Sequence, residues 1–231
     1  VRIESLAREH QVDPGVFTVI DEPDMGRAGA KARDMVRDGQ ADVSISVHGY
    51  TPGRFPMTKM AEFPFIGDSA EAISVAYYRT YMKHMAKLDE HKGVVLLGLM
   101  THGPGQIYMT KQKVASLADL NNQKIRVGGG LVVDITKAIG AVPLLKPASE
   151  TFEIMKSGIA DGIFFPKDSV PAFKLVPLVN HMTVVPGGLY NVSFGLWVNE
   201  AKFKGLPKAD QDAIMKVSGD NFARIAGKAW D

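Results

Sequence analysis

The 231-residue sequence contains no cysteine. This absence excludes disulfide bonds, thiol catalysis and cysteine-based zinc sites. Long apolar runs are also missing, because no segment approaches the roughly 20 consecutive apolar residues that a membrane-spanning helix requires. We therefore expect no direct insertion of the chain into a membrane.

Neither sign of charge is in large excess, because the sequence has 27 lysines and arginines and 25 aspartates and glutamates, a net charge of +2. No dense basic run occurs, so nothing in the sequence resembles an electrostatic footprint for nucleic acid. The hydrophobic content of 45% is ordinary for a globular protein. A chain of this length suits one large domain or two modest lobes.

The sequence also lacks three common functional motifs: the phosphate-binding P-loop, the dinucleotide-binding G-x-G-x-x-G and the hydrolase nucleophile motif G-x-S-x-G. The six histidines are dispersed, without the spacing of metal ligands. Ser44 and Ser46 near His48 suit a strand and loop better than a nucleophile and its base. We therefore expect no metal, no cofactor and no catalytic residues, and we interpret the chain as a binding protein rather than an enzyme.

Apolar, β-branched runs alternate along the chain with helical patterns, including one over 70–88 and one over 208–230. This alternation predicts an α/β fold with mostly parallel sheets. Residues 35–46 and 154–165 also resemble each other, each with a helix end, a glycine, an Ala-Asp pair and an apolar strand. The similarity favours two related lobes, although any helix-to-strand turn can look this way.

Arg126 is the residue that points most directly to a function. It belongs to a predicted short strand, 124–127, which leads into Gly128-Gly129-Gly130 and then a helix beginning near Leu131. A guanidinium beside exposed backbone N–H groups at a helix N-terminus suits an anion, and a planar carboxylate best of all. A strand-edge arginine in a surface ion pair, with glycines that permit a tight turn, is the alternative.

Several motifs occur in an order that resembles a known family, the DctP-type solute-binding proteins of TRAP (tripartite ATP-independent periplasmic) transporters. The most diagnostic is D-L-x-x-x-K-I-R-V, followed by a helix and then G-A-x-P-…-S-E-…-G-x-x-D-G. The matching segments lie at 39–45, 50–56, 62–65, 114–130, 139–162 and 205–214.

The resemblance implies a periplasmic-binding-protein-like fold, in which two lobes, each a mostly parallel sheet flanked by helices, enclose a ligand cleft. We expect lobe 1 to comprise 1–103 and 199–231 and lobe 2 to comprise 104–198, with hinge strands near 104–110 and 191–199. The carboxylate-clamping arginine of the family corresponds to Arg126. The resemblance also implies a periplasmic receptor, its export signal removed, which delivers organic acids to membrane permease subunits.

Departures from the family pattern bear on the ligand. Where many sialate and sugar-acid receptors have an asparagine after the G-x-x-D-G turn, this chain has Phe165, and Gly105 replaces a second arginine. The expected ligand is therefore a monocarboxylate with an aromatic or apolar body, of the benzoate type. Core packing is the alternative role for each aromatic residue. The expected ligand-binding residues are Arg126, Gly128, Phe165, Tyr190, Gln106, His102, His48, Tyr50 and Phe65.

Two other functional classes remain open at this stage. An effector-binding module of a transcription regulator could share a two-lobed fold, but it would need a DNA-binding domain. A hydrolase or lyase acting on a small acid would need a nucleophile and base, for which the sequence shows no pattern.

Overall fold

The computed structural model describes residues 19–20 and 31–231. Nine strands form two sheets within this part of the chain. They are β1 (Val19–Ile20), β2 (Val43–Val47), β3 (Val94–Thr101), β4 (Gly105–Met109), β5 (Lys124–Val127), β6 (Val142–Leu145), β7 (Gly162–Pro166), β8 (His181–Thr183) and β9 (Ser193–Asn199).

The helices of the described residues lie mainly between these strands. They are α1 (Ala32–Arg37), α2 (Ala70–His84), α3 (Leu131–Ala138), α4 (Thr151–Lys156), α5 (Ser169–Ala172), α6 (Glu200–Lys204), α7 (Lys208–Val217) and α8 (Asp220–Lys228). Short 3-10 turns precede several of them.

The first sheet has the strand order β1-β2-β9-β3, and the second has the order β6-β5-β7-β4-β8. In the first sheet only β9 opposes the common direction, because it pairs antiparallel with both β2 and β3. In the second sheet only β4 opposes the others, because it pairs antiparallel with β7 and β8. The prediction of an α/β fold with mostly parallel sheets is therefore confirmed.

The chain passes from the first sheet to the second between β3 and β4, and it returns between β8 and β9. Strand β9 pairs with β2 from Val43↔Val198 to Val47↔Phe194, so residues 193–198 belong to the first sheet. The prediction placed these residues in lobe 2 and in a hinge strand, whereas their pairing joins them to the first sheet. The lobe boundaries and the hinge strands stay predictions.

The repeated sequence pattern corresponds to two helix–glycine–strand units, one beside each sheet. Helix α1 leads through Gly39 into β2, and α4 leads through Gly158 into β7. Both glycines have φ of 72°, a left-handed conformation that ends a helix without steric cost only in glycine. Residues 1–18 and 21–30 of the predicted first lobe lie outside the described residues.

Two predicted helices differ from expectation at their ends. The pattern over 70–88 ends as α2 at His84, and Leu88 is 55% exposed because the chain turns away. The pattern over 208–230 divides into α7 and α8 at Gly219, where φ is 61° and the amide donates to Leu97 O at 2.6 Å. This break turns α8 so that it packs against α2 and β3.

The largest core cluster joins residues of both sheets, including Val47, Met100, Val127, Phe164 and Phe194. A second cluster lies against the other side of β7, around Ile163, Phe165 and Leu175. Strand β7 is buried along its whole length, between the two clusters. Side chains at its carboxyl end and at the end of β5 therefore lie where the sheets meet.

Candidate functional site

A small cavity of about 40 Å³ lies where the two sheets meet. Six of the nine predicted ligand-binding residues line it, although they come from distant parts of the chain. They are Tyr50, His102, Arg126, Gly128, Phe165 and Tyr190.

Arg126 is the charged residue of this cavity. It is 3% exposed, and its Nε donates to Lys146 O at 2.9 Å, which fixes the side chain across the end of β6. Among the described residues, no carboxylate lies within ion-pair distance of its guanidinium. A buried cation without a counter-ion is unfavourable, so the arrangement favours binding of an anion in the cavity.

Phe165 forms an aromatic wall next to this cation. The Cζ atom of Arg126 lies 4.7 Å from the Phe165 ring centroid, a cation–π distance. The Phe173 ring stacks on Phe165 at 5.7 Å with an interplanar angle of 30°. Phe165 thus packs in the second core cluster and also lines the cavity.

Tyr190 and His102 form another wall of the cavity, with their rings edge to face at 5.4 Å. The Tyr190 hydroxyl donates to Phe164 O at 2.8 Å, and burial raises its pKa well above the usual value. Burial lowers the pKa of His102 to about 4, and its Nδ1 lies 2.5 Å from Gly103 O. Both side chains are therefore neutral near pH 7.

Tyr50 and Gly128 approach each other from opposite sheets. The Tyr50 hydroxyl accepts a hydrogen bond from the Ala148 amide at 3.2 Å. A Cβ atom on Gly128 would lie 3.6 Å both from Arg126 Nη2 and from Tyr50 Cε1. Glycine thereby leaves room beside the guanidinium, where a larger side chain would project towards it.

Three expected ligand-binding residues lie outside the cavity, and the structure gives the reason for each. His48 is buried against Phe55 and Trp197, in an aromatic cluster of the first sheet. Gln106 exchanges two hydrogen bonds with the Val185 backbone, at 3.3 and 2.6 Å, and so extends the pairing of β4. Phe65 is 64% exposed on a loop.

The N-terminus of α3 is occupied by an anion of the protein itself, contrary to our expectation. Glu62 Oε2 accepts a hydrogen bond from the Leu131 amide at 2.8 Å. Its Oε1 accepts from Ser193 Oγ at 2.6 Å and from the Ser193 amide at 3.3 Å. Burial raises the pKa of Glu62, while the hydrogen bonds from Ser193 and Leu131 oppose that rise. The helix terminus is therefore paired with a carboxylate of the protein, and Arg126 is not.

Other cavity-lining residues were not predicted from the sequence, among them Ser169, Phe173, Phe194 and Trp230. Trp230 lies at the end of the helical pattern predicted over 208–230, and Ser169 belongs to a four-residue helix without a motif. Among the described residues, no group of histidine, aspartate and glutamate side chains is arranged to hold a metal ion. Their helices likewise include none with the length and apolarity to cross a membrane.

The chain is similar to known proteins both in sequence and in structure. The model of the DctP family, bacterial extracellular solute-binding protein family 7, matches residues 21–223. A TRAP periplasmic solute-binding protein from Bordetella bronchiseptica, solved with bound (R)- and (S)-mandelate, is 47% identical with a TM-score of 0.87. The match covers 88% of this chain and 64% of that protein.

Two further relatives are less similar in sequence. A TRAP solute-binding protein from Rhodoferax ferrireducens T118, solved with copurified benzoate, is 30% identical with a TM-score of 0.84 over 92% of this chain and 64% of that one. The outer membrane transporter protein TsaT of Comamonas testosteroni is 27% identical over 93% of this chain and 64% of its own length. The chain thus spans slightly less than two thirds of these relatives.

Proposed function

Because the chain belongs to the DctP family of bacterial extracellular solute-binding proteins, we propose that it captures an organic monocarboxylate for uptake by a TRAP transporter. The ligand has an aromatic or apolar body, of the benzoate type. The whole receptor then delivers it to the membrane permease subunits.

One observation carries this proposal: the buried guanidinium of Arg126 has no acidic partner within the described residues, and it lies over an aromatic ring. With Nε engaged by Lys146 O, the two terminal nitrogens remain to hold both oxygens of a carboxylate. A ligand carboxylate would supply the missing counter-ion. The rings of Phe165 and Phe173 would contact the apolar body of the same molecule.

The lining of the cavity supports a single carboxylate. Tyr190 and His102 are neutral, and Gly105 packs against the Tyr190 ring where some family members have a second arginine. A second ligand carboxylate would therefore be buried without a cation, which is unfavourable. The mandelate and benzoate found in the related structures are also monocarboxylates with an aromatic ring.

Lobe closure provides the mechanism of capture. Arg126 and Phe165 belong to the second sheet, whereas Tyr50 follows β2 of the first sheet. In our proposal, the acid first docks on Arg126, and rotation about the two crossings between the sheets then brings Tyr50 over it. Closure removes water from the ion pair, and the ligand stabilises the closed state by its higher affinity for that state.

The proposal also states where the protein acts and what happens to the bound ligand. Members of this family are extracellular solute-binding proteins, and we infer that this one acts in the periplasm after removal of an export signal. We further infer that it releases its ligand unchanged, because no hydrogen-bonded pair of nucleophile and base is found among the described residues that line the cavity.

A screen of carboxylic acids by thermal shift, followed by calorimetry and analysis of the recovered ligand, tests the proposal. We expect benzoate-type acids to raise the unfolding temperature and to be recovered unchanged. Dicarboxylates and sugar acids should bind much more weakly. Preferential binding of a sugar acid, or conversion of a bound acid, would contradict the proposed function.

A further inference from the structure

We propose that Ser169 is a specificity-determining residue, whose hydroxyl binds a hydroxyl group on the aromatic acid. This inference rests on the proposed function and narrows the ligand class to hydroxylated aromatic monocarboxylates. Ser169 is the first residue of α5 and lines the same cavity as Arg126.

The hydroxyl of Ser169 is buried without a protein partner. The residue is 3% exposed, and its Oγ makes no hydrogen bond with any residue that the structure describes. Three other buried serines are satisfied within the protein. Ser44 Oγ donates to Ala32 O at 3.2 Å, Ser74 Oγ lies 2.9 Å from the Thr101 amide, and Ser193 Oγ donates to Glu62.

An unpaired hydroxyl that faces a largely apolar cavity is unfavourable unless a water molecule or a ligand group pairs with it. Among the neighbouring residues, Phe165, Phe173 and Phe194 offer no hydrogen-bonding side-chain atoms. A polar group in the cavity itself would satisfy this serine. A ligand that supplies such a group gains a hydrogen bond that an unsubstituted acid does not make.

Three other polar side chains of the cavity already have hydrogen-bond partners in the protein. Tyr190 donates its hydroxyl proton to Phe164 O, His102 Nδ1 contacts Gly103 O, and the Tyr50 hydroxyl accepts from Ala148. Gln106 and His48, which were also expected to bind the ligand, lie outside the cavity. Ser169 offers a hydroxyl that no described protein group engages, in the same cavity as the guanidinium of Arg126.

Stacked rings connect Ser169 to the cation. The Phe173 amide donates to Ser169 O at 3.0 Å, so Ser169 lies one helical turn before Phe173. Phe173 stacks on Phe165, and Phe165 lies under the Arg126 guanidinium. An aromatic acid held by Arg126 and lying along these rings would direct a substituent towards Ser169.

Calorimetry on the Ser169→Ala variant tests this role. The probes are benzoate with its three hydroxybenzoate isomers, and phenylacetate with mandelate. We expect at least one hydroxylated acid to lose about tenfold in affinity, which corresponds to about 1.4 kcal/mol. The unsubstituted parent should change less than twofold. Ser169→Thr, which retains a hydroxyl, should keep more of the preference, and the exposed Ser157→Ala variant should behave like the wild type.

The possible failures are distinguishable. Equal losses for a hydroxylated acid and its parent, in a variant that unfolds at the wild-type temperature, would overturn the role of Ser169 alone. The same holds if no hydroxylated acid loses affinity while benzoate still binds. If the wild type binds none of these acids, both this inference and the proposed function are overturned.

Discussion

The carboxylate of Glu62 lies 2.8 Å from the amide nitrogen of Leu131, the first residue of α3. Glu62 precedes α2 beside the first sheet, whereas Leu131 follows Arg126 in the second. The contact therefore joins the two halves of the molecule next to the cavity. A buried carboxylate at a helix N-terminus is favourable because it pairs free amides and meets the positive end of the helix dipole.

This contact depends on Gly130, because a Cβ atom there would lie 2.2 Å from Glu62 Oε2. Gly130 has φ of 77°, and Gly158, with φ of 72° and nothing within 4 Å of its Cβ position, is a matched control. Both alanine variants incur about 1 kcal/mol or more of backbone strain, and the strain is larger at Gly130, whose ψ of −149° lies in a region that only glycine adopts readily. We expect Gly130→Ala to lower stability by at least a further ~2 kcal/mol, since it displaces a charge-assisted hydrogen bond.

Chemical denaturation of the two glycine variants measures this difference directly. Equal destabilisation of both would show that Glu62 moves aside without loss. Ligand affinity, measured on the same samples, should fall more for Gly130→Ala if the Glu62 contact belongs to the closed state.

Replacement of Arg126 by alanine should abolish most ligand binding. We expect affinity for a benzoate-type acid to fall at least about thirtyfold, or about 2 kcal/mol, because the ligand carboxylate loses its cation in a buried site. Titration calorimetry gives the affinity, and circular dichroism checks the fold. Arg79→Ala is the control, since Arg79 is exposed and paired with Asp220. Unchanged affinity of the Arg126 variant would refute the clamp.

Phe165→Leu should reduce the preference for aromatic ligands. Leucine retains apolar contact but removes the ring face that Phe173 and Arg126 meet. We expect the ratio of affinities for benzoate and an aliphatic acid of similar size to fall about threefold to tenfold, as loss of an aromatic pair costs about 0.5–1.5 kcal/mol. Equal losses for both ligands would mean that Phe165 acts only through core packing.

Stability should decline as the pH falls below about 6.5. Burial lowers the pKa of His91 to about 3 and that of His102 to about 4. The unfolded chain binds protons near pH 6.5 whereas these folded residues do not, so acid favours unfolding. At pH 5 each histidine should remove about 2 kcal/mol of the stability present at neutral pH.

Denaturation curves at pH 7.5, 6 and 5 test this pH dependence. In His91→Phe the free energy of unfolding should depend less on pH. The variant also loses the hydrogen bond from the Trp197 indole to His91 Nδ1 at 3.0 Å. The exposed His84→Gln variant should keep the wild-type slope. A stability that is constant from pH 7.5 to 5 would contradict the expectation.

Local sequence patterns predicted much of the fold. The strand over 124–127, the glycines and the helix from Leu131 were read directly, because strand and helix periodicities and glycine conformations depend on near neighbours. Ser116 and Asp119, three residues apart, form a capping box for the same reason. Family motifs then identified Arg126, whose environment is set largely by its own strand and the adjacent β6.

The aromatic and polar lining of the cavity was harder to predict. Phe165 lines the cavity, whereas His48 and Gln106, which were expected to contact ligand hydroxyl groups, are engaged elsewhere. Their orientation depends on the side of each strand that faces the other sheet. A shift of one residue in strand register reverses that orientation, and no local pattern determines it.

By itself, the sequence determined the α/β alternation, the glycine-terminated helices and the cation that marks the site. Only the tertiary structure decided that Glu62 occupies the helix N-terminus and that Ser169 and Trp230 reach the cavity. Those residues meet across separations such as the 69 positions between Glu62 and Leu131. Contacts of that kind arise from the crossing of the chain between two sheets, which brings together residues that share no local pattern.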